Sequence, residues 1–151
     1  AYRRLQDLLN DVHPDGKGVA ESFRRFARAE VPRGMAFVLS DALDPEFPEV
    51  LRQVCGKGHE VVMLHVISDV ELAPALEGDL KLLDAETGDP LEITASAGVL
   101  REYRRRFDAY CSQLDDQCRR LGVWILRIRS DTSISEVLFR QLRRLGVVRF
   151  V

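Results

Sequence analysis

Two short stretches of this 151-residue chain set oxygen-bearing side chains at the end of an apolar run. The first is Ser40-Asp41, which follows Met35-Ala36-Phe37-Val38-Leu39 and precedes Ala42-Leu43-Asp44-Pro45. An aspartate so placed can ligate a divalent cation, act as a base, or cap the next turn. The second is Asp131-Thr132-Ser133-Ile134-Ser135. Its Asp-x-Ser-x-Ser spacing gathers Asp131, Ser133 and Ser135 on one turn, three hard oxygens that suit Mg²⁺ completed by water. The same residues also read as a helix start. Ser133-Ile134-Ser135-Glu136 has the Ser-x-x-Glu spacing of a capping box, ahead of Val137, Leu138 and Leu142. For a single strand-end aspartate and for a three-residue pattern, capping is the commoner use.

Other reactive residues are scattered. His13, His59 and His65 have no metal-ligand spacing, and His65 falls inside an apolar run, where a hydrogen-bonded core histidine is expected. Gly16-Lys17-Gly18 lacks the spacing and the preceding strand of a phosphate loop. No nucleophile elbow, kinase set or zinc motif is present. Cys55, Cys111 and Cys118 are odd in number and contain no C-x-x-C. Cys111 and Cys118 lie seven apart on one predicted helix, about 10 Å between Cα atoms, too far to bridge. All three read as reduced, small core or boundary residues of a cytoplasmic protein.

The elements that would hold these residues follow from periodicity and punctuation. Residues 2–10 and 19–29 read as helices, separated by the turn residues of 13–18. Residues 35–39 form a buried-type strand. Asp44-Pro45-Glu46 reads as a helix start, with Asp44 as cap and proline at the first position, and Phe47, Val50, Leu51 and Val54 form its inner face. A second buried strand covers 59–67. Strand, helix and strand joined by such short turns make a parallel, right-handed crossover. Alternating leucines around Thr87-Gly88-Asp89-Pro90 predict a half-exposed hairpin over 79–94. A long helix over 97–121 follows, with Gly122 as its cap, then a third buried strand over 123–128 and a last helix over 135–145. The apolar residues 147–151 can add a strand.

Composition sets the class. Apolar residues make up 46% and charged residues 30%, ordinary for a globular chain with one sizeable core. No run reaches the roughly 20 apolar residues of a membrane span, and no signal-peptide layout is present. The net charge of −2 hides an imbalance: residues 97–151 carry twelve arginines against six acids. An arginine-rich nucleic-acid binder is one reading. A solvated helix face is the better one, because no binding motif accompanies the charge, so no nucleic-acid partner is expected.

The serial order of these pieces resembles the domain-of-unknown-function 58 family. The resemblance rests on Pro32 through Pro45, on Gly56 through Leu72, on the 82–88 hairpin, on the long helix and on Leu126-Arg-Ile-Arg-Ser-Asp131. It implies a von Willebrand factor A-like domain: α/β, doubly wound, mainly parallel, with flanking helices and an inserted β-hairpin. The chain would be one such domain over 1–151, lacking its first strands. The resemblance further implies a non-enzymatic protein-interaction module, typically working with a MoxR-type AAA+ ATPase in bacterial or archaeal systems. It would be cytoplasmic, or tethered to the inner membrane face in a full-length protein.

Carried over residue by residue, the family's metal-ion-dependent adhesion site is expected to be degenerate. Asp41 matches its third-loop aspartate. Its threonine falls near Lys17 or Gly18 and is missing. Its Asp-x-Ser-x-Ser loop would precede this chain, so residues 131–135 cannot be that loop by position. No metal or other cofactor is therefore expected, and Mg²⁺ only with upstream residues. The Lys17 ammonium would stand in the cation's place beside Asp41. Ser40, Asp41, Asp44 and Lys17 are the candidate partner-binding residues. Without the first strands, the apolar edge of the 35–39 strand invites a homo-oligomer. The rival reading is a metal-dependent hydrolase-like domain centred on Asp41, which needs more convergent acids and a nucleophile.

Overall fold

A computed structural model describes residues 19–83 and 88–148. The expected first helix, Lys17, His13 and the end of the apolar tail lie outside them. The described residues group into two compact units, one of 19–34 and 42–59 and one of 35–41, 60–83 and 88–148.

In the first unit, helix α1 (Val19–Arg28) and helix α2 (Phe47–Gly56) pack together. Phe23 meets Phe47 edge-to-face at 5.8 Å, and Phe47, Val50, Leu51 and Val54 are buried as their spacing requires. Arg24 pairs with Glu46 across the two segments. The start of α2 departs from expectation. Asp44 does not cap the helix directly: its Oδ1 accepts the Glu46 N–H at 2.8 Å, and its carbonyl accepts the Phe47 N–H. These two bonds form a tight turn, and the helix proper begins at Phe47 with Pro48 in its first turn. His59 also sits outside the strand that was expected to include it, against Phe26 at 5.3 Å.

The second unit is built on a three-stranded parallel sheet of order β1-β2-β5, with β1 Met35–Ser40, β2 Glu60–Ile67 and β5 Trp124–Arg129. The register Met35↔Glu60 and Val62↔Trp124 assigns the faces. Val62, Leu64, Leu126 and Ile128 share one face, and His65 and Arg127 the other. The first face packs on a C-terminal helix made of α5 (Ile134–Glu136), a π-helical turn (Val137–Gln141) and α6 (Leu142–Arg144). The wide turn sets Val137 and Leu142, five residues apart, into one core with Val62 and Leu64, while Leu138 is left exposed. The second face packs on the long helix α4 (Ala97–Leu121), which ends on Gly122 in the left-handed conformation, φ 69°. This is an α/β arrangement with helices on both faces of a parallel sheet.

Two further elements complete the unit. Strands β3 (Gly78–Leu83) and β4 (Pro90–Ala95) make a separate antiparallel hairpin. Helix α3 (Asp69–Leu72) is one turn that the periodicity missed. Ser68 and Glu71 form a reciprocal capping box there: Ser68 Oγ accepts the Glu71 N–H, and Glu71 Oε2 accepts the Ser68 N–H at 2.7 Å. The buried residues of α4, Cys111, Leu114 and Cys118, all lie in its second half. Its first half is tied to α3 by polar bonds instead, with the Tyr103 hydroxyl donating to the Glu71 carbonyl at 2.8 Å. No described helix is long and apolar enough to cross a membrane.

Candidate functional site

Parallel strands place their carboxyl ends on one side, and the loops that follow them are where such sheets hold sites. Here those loops begin at Ser40-Asp41 after β1, at Ser68-Asp69 after β2 and at Ser130-Asp131 after β5. The bond from the Ser130 N–H to the Ile67 carbonyl, 2.9 Å, ties the last two together.

The end of β1 is clamped through its backbone. The Asp41 carbonyl accepts two hydrogen bonds, one from His65 Nε2 at 3.0 Å and one from the Tyr110 hydroxyl at 3.1 Å. His65 is 1% exposed. Its Nδ1 accepts from Arg127 Nε at 3.1 Å, so the ring proton must be on Nε2 and the imidazole is neutral. Burial lowers the His65 pKa, and the Arg127 charge lowers it further. Arg127 is anchored in turn by Asp115 Oδ1 at 2.9 Å and by the Cys111 carbonyl. The Tyr110 ring lies edge-on to His65 at 6.1 Å, and burial, then the Asp41 charge, pushes its phenol to about 12. Three elements thus converge on one carbonyl: β2, β5 through Arg127, and α4. The next residue, Ala42, has φ 59° and is buried, a non-glycine residue in the left-handed region.

Chemically this clamp positions rather than reacts. Both His65 nitrogens are occupied inside the protein, leaving no lone pair to take a proton from a bound molecule. The Tyr110 phenol stays protonated across the physiological range. What the clamp delivers is a fixed backbone at Asp41, whose side chain is exposed.

The end of β5 is arranged differently. Arg129 binds both oxygens of Asp131, at 3.0 and 2.9 Å, and reaches Asp69 at 2.6 Å. The Arg129 bond holds the Asp131 carboxyl below its usual range. Ser133 Oγ accepts the Glu136 N–H at 3.2 Å, so it serves as the helix cap. The second half of the expected box differs: Glu136 pairs with Arg140. Asp131 and Ser133 are thus committed to an ion pair and a cap, a donor set that does not fit Mg²⁺ as it stands. Among the described residues no group of three or more His, Cys, Asp or Glu side chains can hold a metal ion.

Of the residues singled out in the sequence, Ser40 and Asp41 stand at the clamped strand end. Asp44 forms its own turn in the first unit, and Lys17 lies outside the described residues. His65 is the buried, hydrogen-bonded histidine that its place in an apolar run predicts, whereas Tyr110, Arg127 and Asp115 were not foreseen as its neighbours. The signal was Arg127 inside the apolar run Trp124-Ile-Leu-Arg-Ile, because a charge on a sheet face covered by a helix calls for a counter-charge, here Asp115.

Comparison with known proteins agrees on the family. The family model described as protein of unknown function DUF58 matches residues 2–113, and the chain belongs to that family. An uncharacterized protein of Mycobacterium avium, MAV169, is 32% identical over 135 residues, 86% of this chain and 78% of that protein. The uncharacterized proteins Rv1480 of Mycobacterium tuberculosis and Mb1516 of Mycobacterium bovis are each 33% identical over 107 residues. That match covers 69% of this chain and 33% of theirs, so it spans about a third of each of those two relatives. No solved structure matches.

Proposed function

We propose that this member of the DUF58 family is a non-enzymatic protein-interaction module with a partial von Willebrand factor A-like fold. The partner docks on the strand-end loops around Ser40 and Asp41. The partner is a MoxR-type AAA+ ATPase, and the pair works in the cytoplasm or at the inner membrane face. One observation carries this reading: His65, braced by Arg127, and Tyr110 fix the Asp41 backbone, and Asp41 is an exposed residue. A rigid exposed acid suits recognition by a basic partner loop, because little ordering entropy remains to be lost on binding.

Exposed apolar side chains on β1 support association of copies as well. Met35, Phe37 and Leu39 share one sheet face and are 43%, 45% and 65% exposed. The test is a binding titration of the chain against a MoxR-type ATPase. Asp41→Arg weakens binding by about tenfold or more while leaving the circular dichroism unchanged. Equal binding by parent and variant overturns the assignment of the site. Hydrolysis by the chain alone in the presence of Mg²⁺ or Mn²⁺ overturns the non-enzymatic reading.

A further inference from the structure

Among the described residues the sheet has a second open edge. Among the described residues β5 hydrogen-bonds only to β2, so its outer row of N–H and C=O groups is unclaimed. A concavity flanks this edge on each side. One, of about 410 Å³, lies towards α4, between Asp115 and Arg119 on the helix and Trp124, Ile125 and Arg127 on the strand. The other, of about 510 Å³, lies towards the C-terminal helix, between Leu126 and Glu136, Arg140, Gln141 and Arg144. A strand added to β5 would send successive side chains alternately into the two, the geometry by which sheet edges read extended peptides.

The charge around the edge selects the occupant. Arg119, Arg127, Arg140 and Arg144 line the two concavities against Asp115 and Glu136. Both acids are already paired, with Arg127 and Arg140. Arg119 pairs with Asp116 at 2.8 Å on its own helix, and Arg144 has no ion pair or hydrogen bond among the described residues, so Arg144 is the cation of the edge with no acid already on it. Arginine in the last turn of a helix is ordinary, since it complements the helix dipole. That accounts for Arg119 and Arg144, which end α4 and α6, but not for an open strand between them. Nor do the strand's own charges guard the edge: Arg127 and Arg129 are tied back to Asp115 and to Asp69 and Asp131. A polyanion such as single-stranded nucleic acid fits less well, because two carboxylates interrupt the patch and Trp124 is the lone aromatic lining it.

We propose that the β5 edge receives an extended acidic peptide segment of a partner protein by strand addition. This surface is separate from the Asp41 loop, so its failure would leave the reading of that loop standing.

Trp124 is the sole tryptophan of the chain and is 44% exposed, so its fluorescence reports on this edge. The chain is titrated with four probes: an eight-residue alternating Glu-Val peptide, its Lys-Val counterpart, the Glu-Val peptide with a central proline, and an eight-nucleotide oligothymidine. The Glu-Val peptide is expected to shift the Trp124 emission saturably. The proline version binds roughly tenfold more weakly, because it cannot complete the ladder. Arg119→Glu with Arg144→Glu weakens the Glu-Val peptide by about tenfold with unchanged circular dichroism. Arg144→Glu alone gives part of that loss and serves if the double variant does not fold. Any of four results overturns the proposal: no saturable emission change, equal affinity for the proline peptide, preference for the Lys-Val peptide, or tighter binding of the oligonucleotide.

Discussion

The carboxyl ends of β1 and β5 look alike in sequence and are used in opposite ways. Each apolar strand runs out into a Ser-Asp pair, Ser40-Asp41 and Ser130-Asp131. At β5 the side chain of the aspartate is consumed, both oxygens held by Arg129 two residues earlier. At β1 it is the backbone that is held, by His65 and Tyr110, 24 and 69 residues away in sequence. The first arrangement is local and exposed, and the second is long-range and partly buried. Stability should therefore depend strongly on the clamp at β1 and hardly at all on the ion pair at β5.

The largest effect is expected at His65. His65→Ala leaves a cavity in the sheet face, strips the Arg127 Nε of its acceptor and removes one donor from the Asp41 carbonyl. Together these cost about 3 kcal/mol, read from the urea midpoint. Asp131→Ala, by contrast, should leave the midpoint where it was. Equal effects at the two sites would mean that the clamp is no more than a surface contact.

Acid should act through the same residue. The folded pKa of His65 lies below its unfolded value, so the unfolded chain binds the proton more readily. Its contribution to stability is then complete above the unfolded value of about 6.5 and is lost as pH falls through the folded value. Protonation at Nδ1 would set an N–H against the Arg127 Nε–H, and Asp115 and Asp41 are the nearby acids that offset part of this. Urea midpoints taken from pH 8 down to 5 should fall for the parent. They should fall less for His65→Gln, which keeps an amide at the site but does not titrate. Parallel curves for the two proteins would remove His65 as the source.

The contrast also explains what could be read from the sequence. The strands, the long helix with its Gly122 stop and the hairpin all follow from local periodicity and turn residues, which act within a few positions. So does the Ser133 cap, a contact three residues apart. The clamp is invisible at that range. Tyr110 and Cys111 are neighbours on α4, and only the packing of that helix on β2 and β5 decides that Tyr110 reaches the Asp41 carbonyl. The start of α2 was misjudged for a related reason. Asp44 has the chemistry of a cap, but Pro45 and Glu46 form a turn of their own before the helix begins. The missed α3 is too short for periodicity to register, although its Ser68-x-x-Glu71 spacing was in plain view.

The smallest effect separates the two donors at the Asp41 carbonyl. Tyr110→Phe removes one hydroxyl and little volume, and His65 still serves the carbonyl, so no acceptor is left unpaired. The cost is then that of one neutral hydrogen bond, about 1 kcal/mol, with no change in the pH dependence that His65 imposes. If the two donors instead act as one unit, His65→Ala with Tyr110→Phe should cost less than the sum of the single changes, since losing either would already loosen the strand end. A strictly additive double variant would show that His65 and Tyr110 hold Asp41 independently, and that the clamp is two separate contacts meeting on one atom.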